Sequence, residues 1–217
     1  MSAFGYRKPQ DLPAAIPIFP LSGAILLPRG ALPLNIFEPR YLNMIDDALG
    51  GDRLIGMVQP MDVRNAPRPT VASVGCAGRI TSFAETEDGR YLITLTGVSR
   101  FHVLEELPVK TPYRAVQANW DRYGDDLTAP ADSYRIDRDG LTAALRRYVD
   151  ANGFQADWSV VDEAPPEPLI NTLCAMCPFD PREKQMLIEA ETLAERCLTL
   201  TTLLQLNASP EERGRLQ

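Results

Sequence analysis

Histidine and lysine are almost missing from this chain of 217 residues. The single histidine, His102, excludes a metal site built on several histidines and leaves a catalytic triad only one possible base. It follows Arg100 and Phe101 inside a strand-like run, which fits a half-exposed strand position. Lysine occurs only at Lys8, Lys110 and Lys184, and none of them follows a glycine. A P-loop needs a lysine that reaches the phosphates from a glycine-rich turn, so nucleotide hydrolysis of that kind is excluded. No G-x-G-x-x-G opens a helix, and no G-x-S-x-G elbow occurs. Long apolar runs are missing too: nothing approaches the roughly 18 residues of a membrane span. Met1 to Pro13 lacks the apolar core of a secretory signal. The expectation is a cytoplasmic protein without a membrane partner, whose four cysteines remain thiols.

Positive charge is in deficit overall. The formal net charge is -7, and an acidic surface repels phosphate backbones and anionic lipid, which counts against nucleic acid as a partner. What positive charge exists is almost all arginine, the side chain suited to fixed bidentate pairs. The hydrophobic content of 45% is enough for a core in one domain or two small ones.

From Ile16 to about Asp121 the signals are those of strands. Ile16 to Pro20 carries two prolines and predicts an edge strand. Ala24 to Leu27 and Leu32 to Phe37 are short apolar runs around the turn signal Pro28-Arg29-Gly30. Leu54 to Gln59 follows. Val74 to Glu85 and Tyr91 to Leu104 flank Asp88-Gly89, the strongest hairpin signal in the chain. Ala115 to Trp120 predicts a closing strand. One helix interrupts this region: Pro39 suits a first turn, Tyr41, Met44, Ile45 and Ala48 form one apolar face, and Gly50-Gly51 is a stop.

Arg122 to Asp132 is polar, with Gly124 and Pro130, and reads as a linker. Beyond it the period turns helical. Leu141, Leu145, Tyr148 and Val149 share a face that ends near Gly153. A further helix is expected over about 167–176. Asp180-Pro181-Arg182-Glu183 and Thr192 with Glu195 read as helix starts with capping boxes. Two divisions are therefore expected: residues 1–121 as the β part and 122–217 as a linker plus a small bundle of about four helices.

Candidate chemistry is sparse. Cys174 and Cys177 have C-x-x-C spacing, but a structural zinc needs two more ligands, and cysteine packs well as a small apolar residue. No metal and no cofactor are expected. Adjacent acidic pairs at Asp46-Asp47, Glu105-Glu106 and Asp125-Asp126 diverge on a strand or a helix, so they read as solvated surface. Two blocks place charges among bulky apolar residues, Ile36-Phe37-Glu38-Pro39-Arg40-Tyr41 and Gly97-Val98-Ser99-Arg100-Phe101. Charges entering a core need partners, which predicts an internal ion pair.

These blocks also carry a resemblance. Ile18-Phe19-Pro20-Leu21, Leu34 to Tyr41, Gly56-Met57-Val58, Val74 to Ile80, Asp88-Gly89-Arg90-Tyr91 and Gly97 to Phe101 occur in the order found in the N-terminal substrate-binding domain of Lon proteases. The chain resembles stand-alone bacterial members of that family over residues 16 to about 120, and more loosely beyond. The resemblance implies an α+β fold: a PUA-like β pseudo-barrel with one inserted helix, then a C-terminal helical bundle. It implies a non-enzymatic, protein-binding module that lacks the ATPase and protease regions, with proteins or unfolded polypeptide segments as partners. In the motif residues we expect a structural network. Phe37 and Phe101 are expected to fill the core and Glu38, Arg40 and Tyr41 to mark the helix start. Arg90 and Arg100 are candidate partners for Glu38 or Asp88. The proline-rich loop from Pro60 to Pro69 is the expected contact surface, with Pro60, Met61 and Val63 as its apolar residues. The alternative is a PUA-like RNA-binding module, which needs a basic aromatic-lined face; Arg64, Arg68 and Arg79 are its candidates.

Overall fold

The computed structural model describes residues 3–61, 68–128 and 136–208. The chain forms two compact units, Met1–Ala129 with Pro178–Ile188, and Pro130–Cys177 with Glu189–Gln217.

The first unit is built on strands β1 (Ala15–Pro20), β2 (Ala31–Ile36), β3 (Leu54–Val58), β4 (Val74–Glu85), β5 (Tyr91–Glu106) and β6 (Arg114–Asn119). Their order is β2-β5-β4-β3-β1-β6, and β5 also pairs with β6, so the sheet closes on itself. Closure is possible because β5 is long. Its first half carries β2, with Leu34 opposite Ile93, and its second half carries β6, with Val103 opposite Ala118. The β4–β5 hairpin turns at Gly89, whose φ of 75° is open to glycine at little cost.

β1 is not an edge strand. It lies between β3, in parallel, and β6, antiparallel. Pro17 costs no ladder bond, because the β3 pairing begins at Ile18; Pro20 lies opposite Val58 of β3 but past the β6 ladder, which ends at Ile18. Ala118 donates to the Ala14 carbonyl, and the antiparallel alternation from that pair turns the Pro17 nitrogen away from β6.

The core of this unit gathers Ile16, Ile18, Val116 and Trp120 around Phe101, which is fully buried. The Phe101 and Trp120 ring centroids lie 5.4 Å apart. A Cβ at Gly56 or Gly75 would sit 2.7 Å or 2.8 Å from the tip of the Phe101 ring. Those glycines therefore make the room that the phenylalanine fills. Helix α1 (Pro39–Gly50) buries Tyr41, Met44, Ile45 and Ala48, the face its spacing predicts.

Phe37 departs from expectation: it is 62% exposed. Phe37 is the first residue past β2, whose alternation brings Ile36 inward at 1% exposure and leaves the next position facing out. Residues 121–127 are also not a plain linker. They form a 3-10 turn, Asp121–Leu127, that buries Tyr123, Asp126 and Leu127. Helix α5, Pro181–Glu189, lies with this unit up to Ile188. Its start is capped as its sequence predicts: the Asp180 carboxylate accepts from the Arg182 and Glu183 amides, and Glu183 accepts from the Asp180 amide.

The second unit contains α2 (Arg138–Asn152), α3 (Trp158–Glu163), α4 (Pro166–Met176) and α6 (Leu193–Asn207). α2 ends at Gly153 in the left-handed conformation, and α6 starts with the Thr192–Glu195 capping box. The short α3 has no sequence-level expectation. Six residues leave too little periodicity to read, but Asp157 caps it by accepting from the Ser159 and Val160 amides. Among the described residues no helix is long and apolar enough to cross a membrane.

Candidate functional site

The first unit carries a groove of about 210 Å³. Pro20 enters it from the end of β1, Arg40 and Tyr41 from the first turn of α1, and Pro112, Tyr113 and Arg114 from the approach to β6. Pro60, Arg68 and Pro69 come from either side of the residues outside the description. Here the chain is drawn together by short antiparallel pairing. Pro60 bridges to Val71, Met61 donates to the Thr70 carbonyl at 2.7 Å, and Ala72 donates to the Gln59 carbonyl at 2.9 Å.

Each guanidinium in the groove has a carboxylate. Arg114 binds Glu106 through two nitrogens, at 3.1 and 2.6 Å, and donates to the Pro69 carbonyl at 2.9 Å. Arg68 pairs with the same Glu106. The hydrogen bond from Arg114 leads in holding the Glu106 carboxyl below its ordinary value. Arg40 pairs with Glu38 at 2.7 Å and lies 4.5 Å from the centroid of the Tyr41 ring, which packs on Phe19 at 4.1 Å between centroids. Tyr113 donates to Asp47 at 2.6 Å. Burial, then that bond, pushes its phenol up to about 12. The groove thus presents rings, proline faces and compensated charge. Such a surface accepts an apolar segment with few hydrogen bonds to satisfy, and offers little to a phosphate backbone.

The residues singled out from sequence divide among three places. Pro60, Arg40 and Tyr41 meet in the groove, with Glu38 as the partner of Arg40. Met61 is half-buried beside it; Val63 lies outside the described residues, as does Arg64. Asp88 and Arg90 pair with each other at 2.9 Å at the exposed hairpin tip, and Arg90 lies 6.0 Å from the Phe37 ring centroid. Arg100 goes elsewhere. Its partner is neither Glu38 nor Asp88 but Asp126, through two bonds of 2.8 Å, and its backbone amide also donates to Asp126. Another nitrogen donates to the Ile188 carbonyl, which ties α5 to β5. Arg100 also lies 4.2 Å from the Tyr123 ring centroid. The expected internal ion pair exists with a different acid. Asp126, read from its Asp125 neighbour as solvated, is buried at 7% exposure.

Tyr113, Arg114 and Glu106 had no sequence signal as a site, beyond a proline, an aromatic and a basic residue in succession. Arg79, an RNA-face candidate, donates instead to the Tyr6 hydroxyl and the Asp52 carbonyl. Cys174 and Cys177 are buried, and among the described residues no group of histidine, cysteine and carboxylate could hold a metal.

These features define an α+β chain whose self-closing sheet with one inserted helix is followed by further helices. The chain belongs to the Lon substrate-binding domain family: the model described as "ATP-dependent protease La (LON) substrate-binding domain" matches residues 15–205. That family is a substrate-binding domain, not a catalytic one. A Lon protease of Dictyoglomus thermophilum is 24% identical over 211 residues, which cover 91% of this chain and 25% of that protein. One from Anaeromyxobacter dehalogenans is 29% identical over 106 residues, 48% of this chain and 12% of that protein. The chain therefore spans about a quarter or less of these relatives. The fold is shared with a Lon N-terminal domain protein from Xanthomonas campestris, at TM-score 0.61 and 21% identity, covering 87% of this chain and 97% of that one. The N-terminal domain of Mycobacterium avium complex Lon protease has TM-score 0.62 at 14% identity, covering 88% and 97%.

Proposed function

We propose that this chain is a non-enzymatic protein-binding module that holds exposed apolar segments of partner polypeptides, with the proline–tyrosine groove as a contact surface. The observation that carries this reading is the groove itself, whose arginines are matched by Glu38 and Glu106 while Pro20, Tyr41, Pro60, Pro112 and Tyr113 line it. Membership of a substrate-binding family supports it. The closed sheet, completed by β5 pairing with β6, supports a PUA-like pseudo-barrel as the scaffold.

The test is a fluorescence titration with an unfolded reporter protein and with single-stranded RNA, each at low and high salt. The unfolded reporter should bind more tightly than its folded form. Its affinity should change little with salt, because apolar contact is not screened. Tyr113→Ala should weaken it about tenfold, about 1.4 kcal/mol. RNA binding with a steep salt slope, and no response to the unfolded reporter, would replace this reading by the RNA-binding one.

A further inference from the structure

The hairpin end of the sheet carries an open strand edge. β3 covers β4 only as far as Leu54 opposite Arg79, and the Ile80 amide makes one more bond, to the Arg53 carbonyl. Past that point β4 has β5 on one side and, among the described residues, no backbone partner on the other. Residues 81–85 are all exposed.

The register says which groups face outward. The Thr86 amide donates to the Arg90 carbonyl and the Thr86 carbonyl accepts from the Gly89 amide, so both main-chain groups of Thr86 face β5. In an antiparallel ladder bonded and unbonded pairs alternate. Ala84 opposite Leu92 is then bonded, while Glu85 opposite Tyr91 and Phe83 opposite Ile93 are not. The amides and carbonyls of Phe83 and Glu85 point away from β5, toward the open side. The same alternation on the far side of β5 turns Pro33 of β2 outward, opposite Thr94. Proline has no donor there, which is how sheets guard a free edge. β2 thus lacks a donor at its outward position, whereas β4, past the irregularity between Ile80 and Ser82, keeps outward donors at Phe83 and Glu85.

We propose that residues Thr81–Glu85 of β4 are a strand-addition site that takes an extended polypeptide segment antiparallel to β4, with an apolar residue opposite Phe83 and a basic residue opposite Glu85. Main-chain bonds at Phe83 and Glu85 supply the attachment. Phe83 is 42% exposed and its ring is held edge-on by Tyr91 at 4.9 Å, so an apolar neighbour across the new pair gains contact with a positioned ring. The edge runs into Glu85 and Glu87, which favours a basic residue on the added strand. The same acidity, on a chain of net charge -7, disfavours pairing of this edge with a second copy. Antiparallel order gives the segment the pattern basic, any, apolar. This site rests on the protein-binding reading but is separate from the groove.

The test uses the whole chain and a fluorescein-labelled Thr-Lys-Thr-Val-Thr peptide, followed by fluorescence anisotropy. N-methylation of the valine amide, which faces β4 in the bound register, should weaken binding at least about tenfold, about 1.4 kcal/mol. N-methylation of the central threonine amide, which faces solvent, should leave it unchanged. Glu85→Lys should weaken the peptide, and a Thr-Glu-Thr-Val-Thr peptide should restore binding to that variant. Phe83→Pro removes an outward donor without touching a β4–β5 bond, and should abolish binding while the thermal unfolding curve is kept. Tyr113→Ala should leave peptide binding intact. Equal loss from either N-methylation would overturn strand addition. Loss with Tyr113→Ala alone would assign the peptide to the groove and leave the protein-binding reading standing. A concentration-dependent dimer abolished by Phe83→Pro, with no peptide binding, would make the occupant a second copy.

Discussion

Single residues separate burial from hydropathy in this chain. Arg100 is 3% exposed and is paired through two nitrogens with Asp126, also buried. Removing one member of such a pair strands a charge away from water. Asp126→Ala is expected to cost about 3–5 kcal/mol in urea unfolding. An Arg100→Met, Asp126→Leu double variant should recover part of that loss, because no unpaired charge remains. A cost no larger than that of an exposed aspartate would show that water reaches the pair. The two phenylalanines of the motif blocks should behave oppositely. Phe101, fully buried, should cost about 3–5 kcal/mol when cut to alanine. Phe37, at 62% exposure, should cost less than about 1 kcal/mol. Nothing in the two residues' chemistry distinguishes them. Phe37 is one step past Ile36, the last and inward-facing residue of β2, and that step turns it out.

Elements were legible where their signals are local. The spacing of Tyr41, Met44, Ile45 and Ala48, the glycine of the hairpin and the caps at Asp180 and Thr192 all act within a few residues. Asp180→Ala should therefore destabilise by about 1 kcal/mol and Asp180→Asn by much less, measured as a shift in the urea midpoint. An effect of Asp180→Asn equal to that of alanine would mean that the carboxylate's charge, not its capping geometry, matters. The place of an element in the sheet was less legible. Two prolines argue for an edge, yet β1 is flanked on both sides, since Pro17 precedes the β3 ladder and its nitrogen faces away from β6. Proline restricts the donor of one residue; only pairing partners say whether that donor was needed.

For the whole molecule, the β unit includes a piece of chain from far downstream, residues 178–188. Gln185 donates to the Val74 carbonyl at 3.2 Å, and the Ile188 carbonyl receives a bond from buried Arg100. A fragment of residues 1–129 loses both, and uncovers Val74 and Arg100. We expect it to unfold at lower urea and less cooperatively than the full chain. A synthetic 178–188 peptide added in trans should raise its midpoint. A fragment as stable as the full chain would show that α5 contributes nothing to the fold.

The amino-acid sequence by itself determined the α+β class, the inserted helix, the hairpin, most helix starts and the family. Each of these rests on patterns within one element or on a run of neighbouring residues. Tertiary structure alone decided that Asp126 completes the ion pair, that Phe37 faces out and that β1 is internal. It also brought Pro20, Tyr41, Pro60 and Tyr113 into one groove and left β4 uncovered beyond Ile80. Those outcomes depend on which distant segments meet: partner choice for a buried charge and coverage of a strand edge are set by packing between segments remote in sequence, and no local pattern records them.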